Sequence, residues 1–257
     1  MPTSARLLFL IAALVLPACG PGPALYTAEA VTPETVVDGD AREWPTTLRP
    51  VPREGGLSIG LRRDDQSLVV AVIATDERQT RRVVLGGLTV WIDPEGGTDR
   101  ALGIRFPNPA EVTARDVRDV ASARDSDTAD TPVLRRRYQE ATEEVAVTRG
   151  TVTQRTQGDG RYGGLEVAST WGRRGLVVEM RIPLSVAPGL LESAPTDALG
   201  IGVELVDGLR PPRRDSGRSG QRSDGPRPDG PPMETEARPE RPDVELSTVT
   251  RWLRIDL

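Results

Sequence analysis

The chain reads as an all-β protein, a β-sandwich that carries a partly helical insertion and a second, disordered one. Three observations lead there. About eight short segments alternate apolar and polar residues with period two. Clusters of Gly, Pro and Asp separate those segments, and helical periodicity is scarce. With 257 residues the chain is long enough to bury one large core.

The N-terminus comes first. Arg6 is the one charged side chain among the first 28 residues, and an apolar run over 7–16 follows it. That run is too short to span a bilayer as a helix and suits the apolar region of a secretory signal. It ends in Leu16-Pro17-Ala18-Cys19-Gly20, which resembles the lipobox of bacterial lipoproteins. The resemblance implies that 1–18 is removed and that Cys19 becomes the lipidated first residue. The lipid bilayer is then a partner, since acyl chains contribute roughly 0.8 kcal/mol per buried methylene. Gly20 stands where some lipoproteins carry the Asp that keeps them at the inner membrane, so the expected place is the outer membrane of the cell envelope. An ordinary secretory signal cut nearby, or at Ala28-Glu29-Ala30, is the alternative reading. Residues 19–34 read as a membrane tether, and 35–257 as the sandwich.

Within 35–257, Leu57, Ile59 and Leu61 alternate with Ser58, Gly60 and Arg62. Residues 68–74 are apolar throughout, as in a central strand covered on both faces. Leu88, Val90 and Ile92 alternate with Thr89, Trp91 and Asp93, stopping at Pro94. Leu102, Ile104 and Phe106 alternate with Gly103 and Arg105, stopping at Pro107. Later strands fall at 165–170, 176–182, 199–206 and 247–256. One helix is expected, with Thr131 as N-cap, Pro132 in its first position and an end near Glu144. Residues 108–130 read either as loop or as amphipathic helix, so 108–160 is an insertion on a sandwich edge. Residues 210–243 hold eight Pro, four Gly, eight Arg and seven acids. Such a segment buries too little apolar surface to offset its ordering entropy and is expected to be disordered. The apolar Val249, Leu253 and Ile255 beyond it return the chain to the sheet.

Composition excludes several chemistries. There is no His, so His-based triads, haem ligation through His and His-rich zinc sites are ruled out. Cys19 is the single Cys, which leaves no intrachain disulfide and no cysteine zinc cluster. All 33 basic residues are Arg against 38 acids, a net charge of −5. A mildly acidic, mixed-charge chain argues against nucleic acid as a partner.

Four short segments carry a family signal. Asp38-Gly39 is followed by Trp44; Asp65-Gln66-Ser67-Leu68-Val69-Val70-Ala71-Val72 leads to Thr75-Asp76. Trp91-Ile92-Asp93-Pro94 ends a strand, and Val178-Glu179-Met180-Arg181-Ile182-Pro183 ends another. In this order, across most of 36–206, they resemble family 9 carbohydrate-binding modules and their DOMON-type relatives. The resemblance implies an immunoglobulin-like or jelly-roll sandwich that binds sugar chain ends or polysaccharide, with calcium in some relatives. The same residues also have purely structural reasons to recur. Asp38-Gly39 makes a tight turn, Trp44 plugs the base of a strand, and the Pro residues end ladders.

Sugar recognition by a sandwich needs aromatic faces for pyranose C–H groups and planar polar groups for hydroxyls. The chain has only four Trp, three Tyr and two Phe. Trp91 lies opposite the apolar face of its strand, and Trp171 lies in a hairpin turn. They are the stacking candidates, with Arg105, Glu179, Arg181 and Glu204 as polar neighbours by strand parity. The structural alternatives are that Trp91 packs beneath the 108–160 insertion and Trp171 staples its hairpin. Trp44 and Trp252 read as core or sheet-edge packing. Asp38, Asp40, Asp76, Glu77, Asp93 and the run Asp125 to Asp130 lack calcium-loop spacing and read as turn caps. No cofactor is expected beyond the calcium that the resemblance raises. The resulting expectation is a non-enzymatic, lipid-anchored glycan binder. Its rival is a structural or assembly lipoprotein whose sandwich contacts an envelope protein partner and binds no sugar.

Overall fold

A computed structural model of the chain describes residues 23–33, 35–44, 46–109, 132–159, 161–173, 175–185, 190–209 and 246–256. Cys19, the signal, Thr131 and the insertion at 210–243 lie outside them, as does most of 108–130.

Two sheets stack as a sandwich, as expected. The seven-stranded sheet runs in the order β1 (Ala24–Tyr26), β13 (Leu246–Asp256), β12 (Ala198–Leu209), β6 (Leu88–Asp93), β7 (Leu102–Arg105), β8 (Val145–Arg149) and β9 (Val152–Thr156). The second runs β10 (Glu166–Gly172), β11 (Gly175–Pro183), β5 (Ser67–Ala74), β4 (Leu57–Arg63) and β2 (Glu29–Ala30), with β3 (Arg49–Pro50) also paired to β4. The alternation read from the sequence sorts the faces. Leu57, Ile59 and Leu61, Leu88, Val90 and Ile92, and Leu176, Val178, Met180 and Ile182 all enter the core between the sheets. β5 is buried at every position. Leu68, Val70 and Val72 face the core, while Val69 and Ala71 pack outward under Trp44.

Three features depart from the sequence reading. Residues 24–30, assigned to the tether, are part of the fold: β1 pairs in parallel with β13 and β2 in parallel with β4. The chain therefore crosses from one sheet to the other there. Residues 145–156, assigned to an insertion, form β8 and β9 and extend the seven-stranded sheet. Val145 and Val147 alternate with Ala146 and Thr148 up to Gly150, a signal that a short strand leaves in any sequence. A helix was also missed. Helix α1 (Glu77–Gly86) starts at Asp76, whose side chain accepts the Gln79 N–H at 2.7 Å, and buries Val83, Val84 and Leu85. The expected helix is present as α2 (Pro132–Ala141), with Leu134, Tyr138 and Ala141 buried on one stripe and packed near α1.

The strands β12 and β13 pair antiparallel from Ala198↔Asp256 to Leu209↔Leu246. The two ends of the 210–245 segment are thus held side by side. Among the described residues, no helix is long and apolar enough to cross a membrane.

Candidate functional site

The two outer faces of the sandwich have different fates, and this difference locates the site. On the six-stranded sheet the segment around 31–48 lies across the outer face. Its Trp44 is fully buried against Val69 and Ala71, with Val31, Val37 and Leu48 around it. The Arg62 guanidinium stacks 4.6 Å from the Trp44 ring centre.

Glu179, a polar candidate, points outward from β11 as parity requires, but beneath this cover it is 0 % exposed. Its Oε2 accepts the backbone N–H of Asp38 at 2.9 Å and of Gly39 at 2.7 Å, and its Oε1 accepts the Trp44 indole N–H at 2.6 Å. Burial pushes its carboxyl above the ordinary range, and the hydrogen bonds from Gly39, Trp44 and Asp38 offset part of that rise. Glu179 therefore serves the fold, and a glycan cannot reach it in this arrangement. Arg181 is likewise engaged, donating to Glu166 Oε2 at 3.2 Å and to the Thr35 carbonyl at 2.9 Å.

Trp171 is corrected too. It is not presented at a rim: it is 8 % exposed and belongs to the core between the sheets. Tyr138 of α2 meets it edge-on at 5.7 Å, and the Arg135 guanidinium lies 4.2 Å from its ring centre. It ties α2 to the β10–β11 hairpin, which is a larger task than stapling the hairpin alone.

On the seven-stranded sheet the outer face carries a different set. Side chains of one parity on four adjacent strands form two rows across it. One row is Trp252, Gly202, Trp91 and Gly103; the other is Thr250, Glu204, Thr89 and Arg105. Glycine in the first row makes room for the indoles that lie across it, closely at Gly103 and more loosely at Gly202. A Cβ on Gly103 would fall 2.5 Å from the Trp91 ring, and one on Gly202 would fall 3.1 Å from the Trp252 ring. Trp91 donates its indole N–H to Glu204 Oε2 at 3.1 Å. Thr250 donates to the same oxygen at 2.9 Å, and Arg100 pairs with it at 2.6 Å. The Arg100 guanidinium also covers the indole, 5.2 Å from the Trp91 ring, which leaves Trp91 only 9 % exposed. So among the described residues an arginine, Arg100, covers Trp91 on the outer face.

Beside this network a cleft of about 220 Å³ opens between Arg105 and Glu204, lined also by Gly86, Gly87, Thr89 and Thr248. Arg105 is fixed there by donating to the Gly86 carbonyl at 2.5 Å. Burial lowers its pKa, Glu204 opposes that, and the high starting value of a guanidinium keeps it cationic at neutral pH. The cleft is smaller than the roughly 300 Å³ at which drug-sized sites begin, so it suits a single small polar unit or a chain end.

Of the candidates, then, Trp91, Arg105 and Glu204 come together, while Trp171 and Glu179 lie elsewhere, and the two Trp share no groove. Sequence reasoning missed Thr89, Arg100 and Thr250. Thr89 and Thr250 could have been found by strand parity, but Arg100 comes from a loop and carried no periodic signal.

The acids behave as turn caps. Asp38 accepts from the Asp40 N–H at 2.8 Å, and Asp93 from the N–H groups of Glu95 and Asp99 at 2.9 and 2.8 Å. Among the described residues no group of three or more Asp, Glu or Cys converges as a metal set; the run from Asp125 to Asp130 lies outside them.

No protein-family model matches the chain, and no curated protein matches it in sequence. Among solved structures it is similar to a family 9 carbohydrate-binding module from Caldicellulosiruptor kristjanssonii. The complex of that module with cellotriose has 12 % identity and a TM-score of 0.33, with 71 % of this chain and 76 % of that one covered. The complex with glucose has 12 % identity and a TM-score of 0.34, with 72 % and 78 % covered.

Proposed function

We propose that the protein is a lipid-anchored component of the cell envelope, held at the outer membrane through acylated Cys19, that binds a glycan without cleaving it. The site is the Arg105–Glu204 cleft on the outer face of the seven-stranded sheet. One observation carries this reading: a fixed cation and a carboxylate flank a small open cleft beside an indole whose N–H orients that carboxylate. Such a pair offers both donors and acceptors to vicinal hydroxyls, and its pre-organisation limits the cost of ordering on binding. Among the described residues lining the cleft, Glu204 is the one acid.

A glycan array probed with the chain from residue 20 onward, which retains β1, tests the site. Arg105→Ala should weaken captured glycans by about tenfold or more, as expected for losing a charge-assisted hydrogen bond. Trp171→Phe should leave them bound. Silence across the array, or binding indifferent to Arg105→Ala, removes the site.

A second reading, assembly through protein contacts, draws on a separate feature. β9 is an edge strand, exposed at four of its five positions, and its Val152 is 68 % exposed. Open edges of that kind accept a strand from another chain. Pull-down of an envelope protein that Val152→Lys abolishes would favour it.

A further inference from the structure

Pairing of β1 with β13 shortens the leash and thereby constrains how the domain can sit. Only five peptide steps separate Cys19 from Ala24. At about 3.5 Å each they reach no more than roughly 18 Å, close to the depth of a headgroup layer and its first water. The side of the fold around residue 24 must therefore lie near the surface to which Cys19 is anchored.

That side has interfacial chemistry. Leu25 is 66 % exposed on β1, although its neighbours Ala24 and Tyr26 pack on the core. In register beside it stands Arg254, whose side chain is about half exposed and pairs only loosely with Asp256 at 3.5 Å. Trp252, one step along the same face, is partly exposed and lines an open groove of about 420 Å³ together with Pro23, Arg53 and Thr98. Arg53 is exposed, pairs with no carboxylate among the described residues, and holds φ at 62°. An arginine in the left-handed region is an uncommon choice where glycine would fit without strain. An indole and a leucine flanked by guanidinium groups match the boundary between acyl chains and phosphates.

We propose that the β1–β13 edge, through Leu25, Trp252, Arg53 and Arg254, docks on a lipid bilayer bearing anionic headgroups. The proposal rests on the Cys19 anchor of the reading above.

The test uses the full processed protein reconstituted in vesicles of phosphatidylcholine, or of equal parts phosphatidylcholine and phosphatidylglycerol, each with brominated acyl chains. Tryptophan emission should be quenched at least about twofold more in the anionic vesicles, because each guanidinium at the surface adds attraction. Trp252→Phe should abolish that quenching, while Leu25→Ser and Arg53→Gly should reduce it and Trp91→Phe should retain it. Arg53→Gly suits the backbone at that position, so its effect reports the lost charge and not unfolding. Intact mass of the same preparation reports acylation. An acylated Cys19 with emission that is unquenched, or quenched equally after Trp252→Phe, overturns the docking and leaves the anchor standing. An unmodified Cys19 overturns both.

Discussion

Trp44 and Glu179 lie 135 residues apart in the chain, yet the indole N–H of one donates to the carboxylate of the other at 2.6 Å, with both groups fully buried. The second carboxylate oxygen takes the backbone N–H groups of Asp38 and Gly39. Gly39, at φ 78° and pressed against the backbone of Ser169, lets the turn come close enough. One acceptor thus ties the opening turn and its Trp to the strand that ends in Pro183, which is a structural reason for those two segments to occur together.

Glu179→Gln should destabilise the fold by about 2 kcal/mol at neutral pH, because an amide –NH₂ would face an N–H donor inside the core and leave it unsatisfied. The wild-type carboxyl has its pKa raised in the fold by burial. The proton-linked part of its stabilisation is therefore full below the ordinary carboxylate value of about 4.3 and is lost as pH rises through the raised one, so the gap to the Gln variant should be larger in acid than at neutral pH. Urea unfolding of both proteins across acid to neutral pH checks this. A gap between them that widens with rising pH would contradict it.

Glu54 should show the opposite slope. Burial works to raise its carboxyl, but the hydrogen bond and charge of Arg82, then Gln79 and Arg251, outweigh it and hold it below the ordinary range. Arg82 pairs with it at 2.5 Å and Arg251 at 2.9 Å. Its stabilisation is present above about 4.3 and is lost as pH falls through the lowered value. Glu54→Gln should cost about 3 kcal/mol near neutral pH, since Arg82 is left charged and largely buried, and that cost should shrink in acid. Thermal unfolding against pH measures it.

Trp171→Ala should lower stability by about 3–5 kcal/mol, the usual cost of removing a large core aromatic. It should also loosen α2, whose Tyr138 and Arg135 pack on that ring. Hydrogen exchange over 132–141 reads this directly. Unchanged protection there would show that the contact is dispensable.

Cys19→Ala should release the protein from membranes into the soluble fraction, because a few edge side chains hold a bilayer far less firmly than several acyl chains. Fractionation of expressing cells decides it, and full retention of the variant in the membrane pellet would count against the anchor.

Much of the sandwich was legible because period-two alternation is a local signal. Leu176, Val178, Met180 and Ile182 announce a half-buried strand in any context. The strands of two or three residues were not legible. β1 and β2 are three and two residues long, so their pairing is decided by neighbours and not by pattern. Helix α1 was hidden for a related reason: its ten residues carry only one short apolar run, and its clearest mark is the Asp76 cap. Of the site, strand parity placed Trp91, Arg105 and Glu204 on the same outward face, but Arg100 arrived from a loop.

By itself, the amino-acid order determined which residues face away from the core, where strands stop and which catalytic chemistries the absence of His excludes. Only the tertiary structure decided which outward face meets solvent. Glu179 and Glu204 are both outward glutamates on apolar strands, and nothing local separates them. The first is sealed because a segment more than a hundred residues upstream lies over its sheet and presents Trp44 to it. The second borders an open cleft. Burial of an outward side chain is set by what another part of the chain places above it, and that is a property of packing at long range.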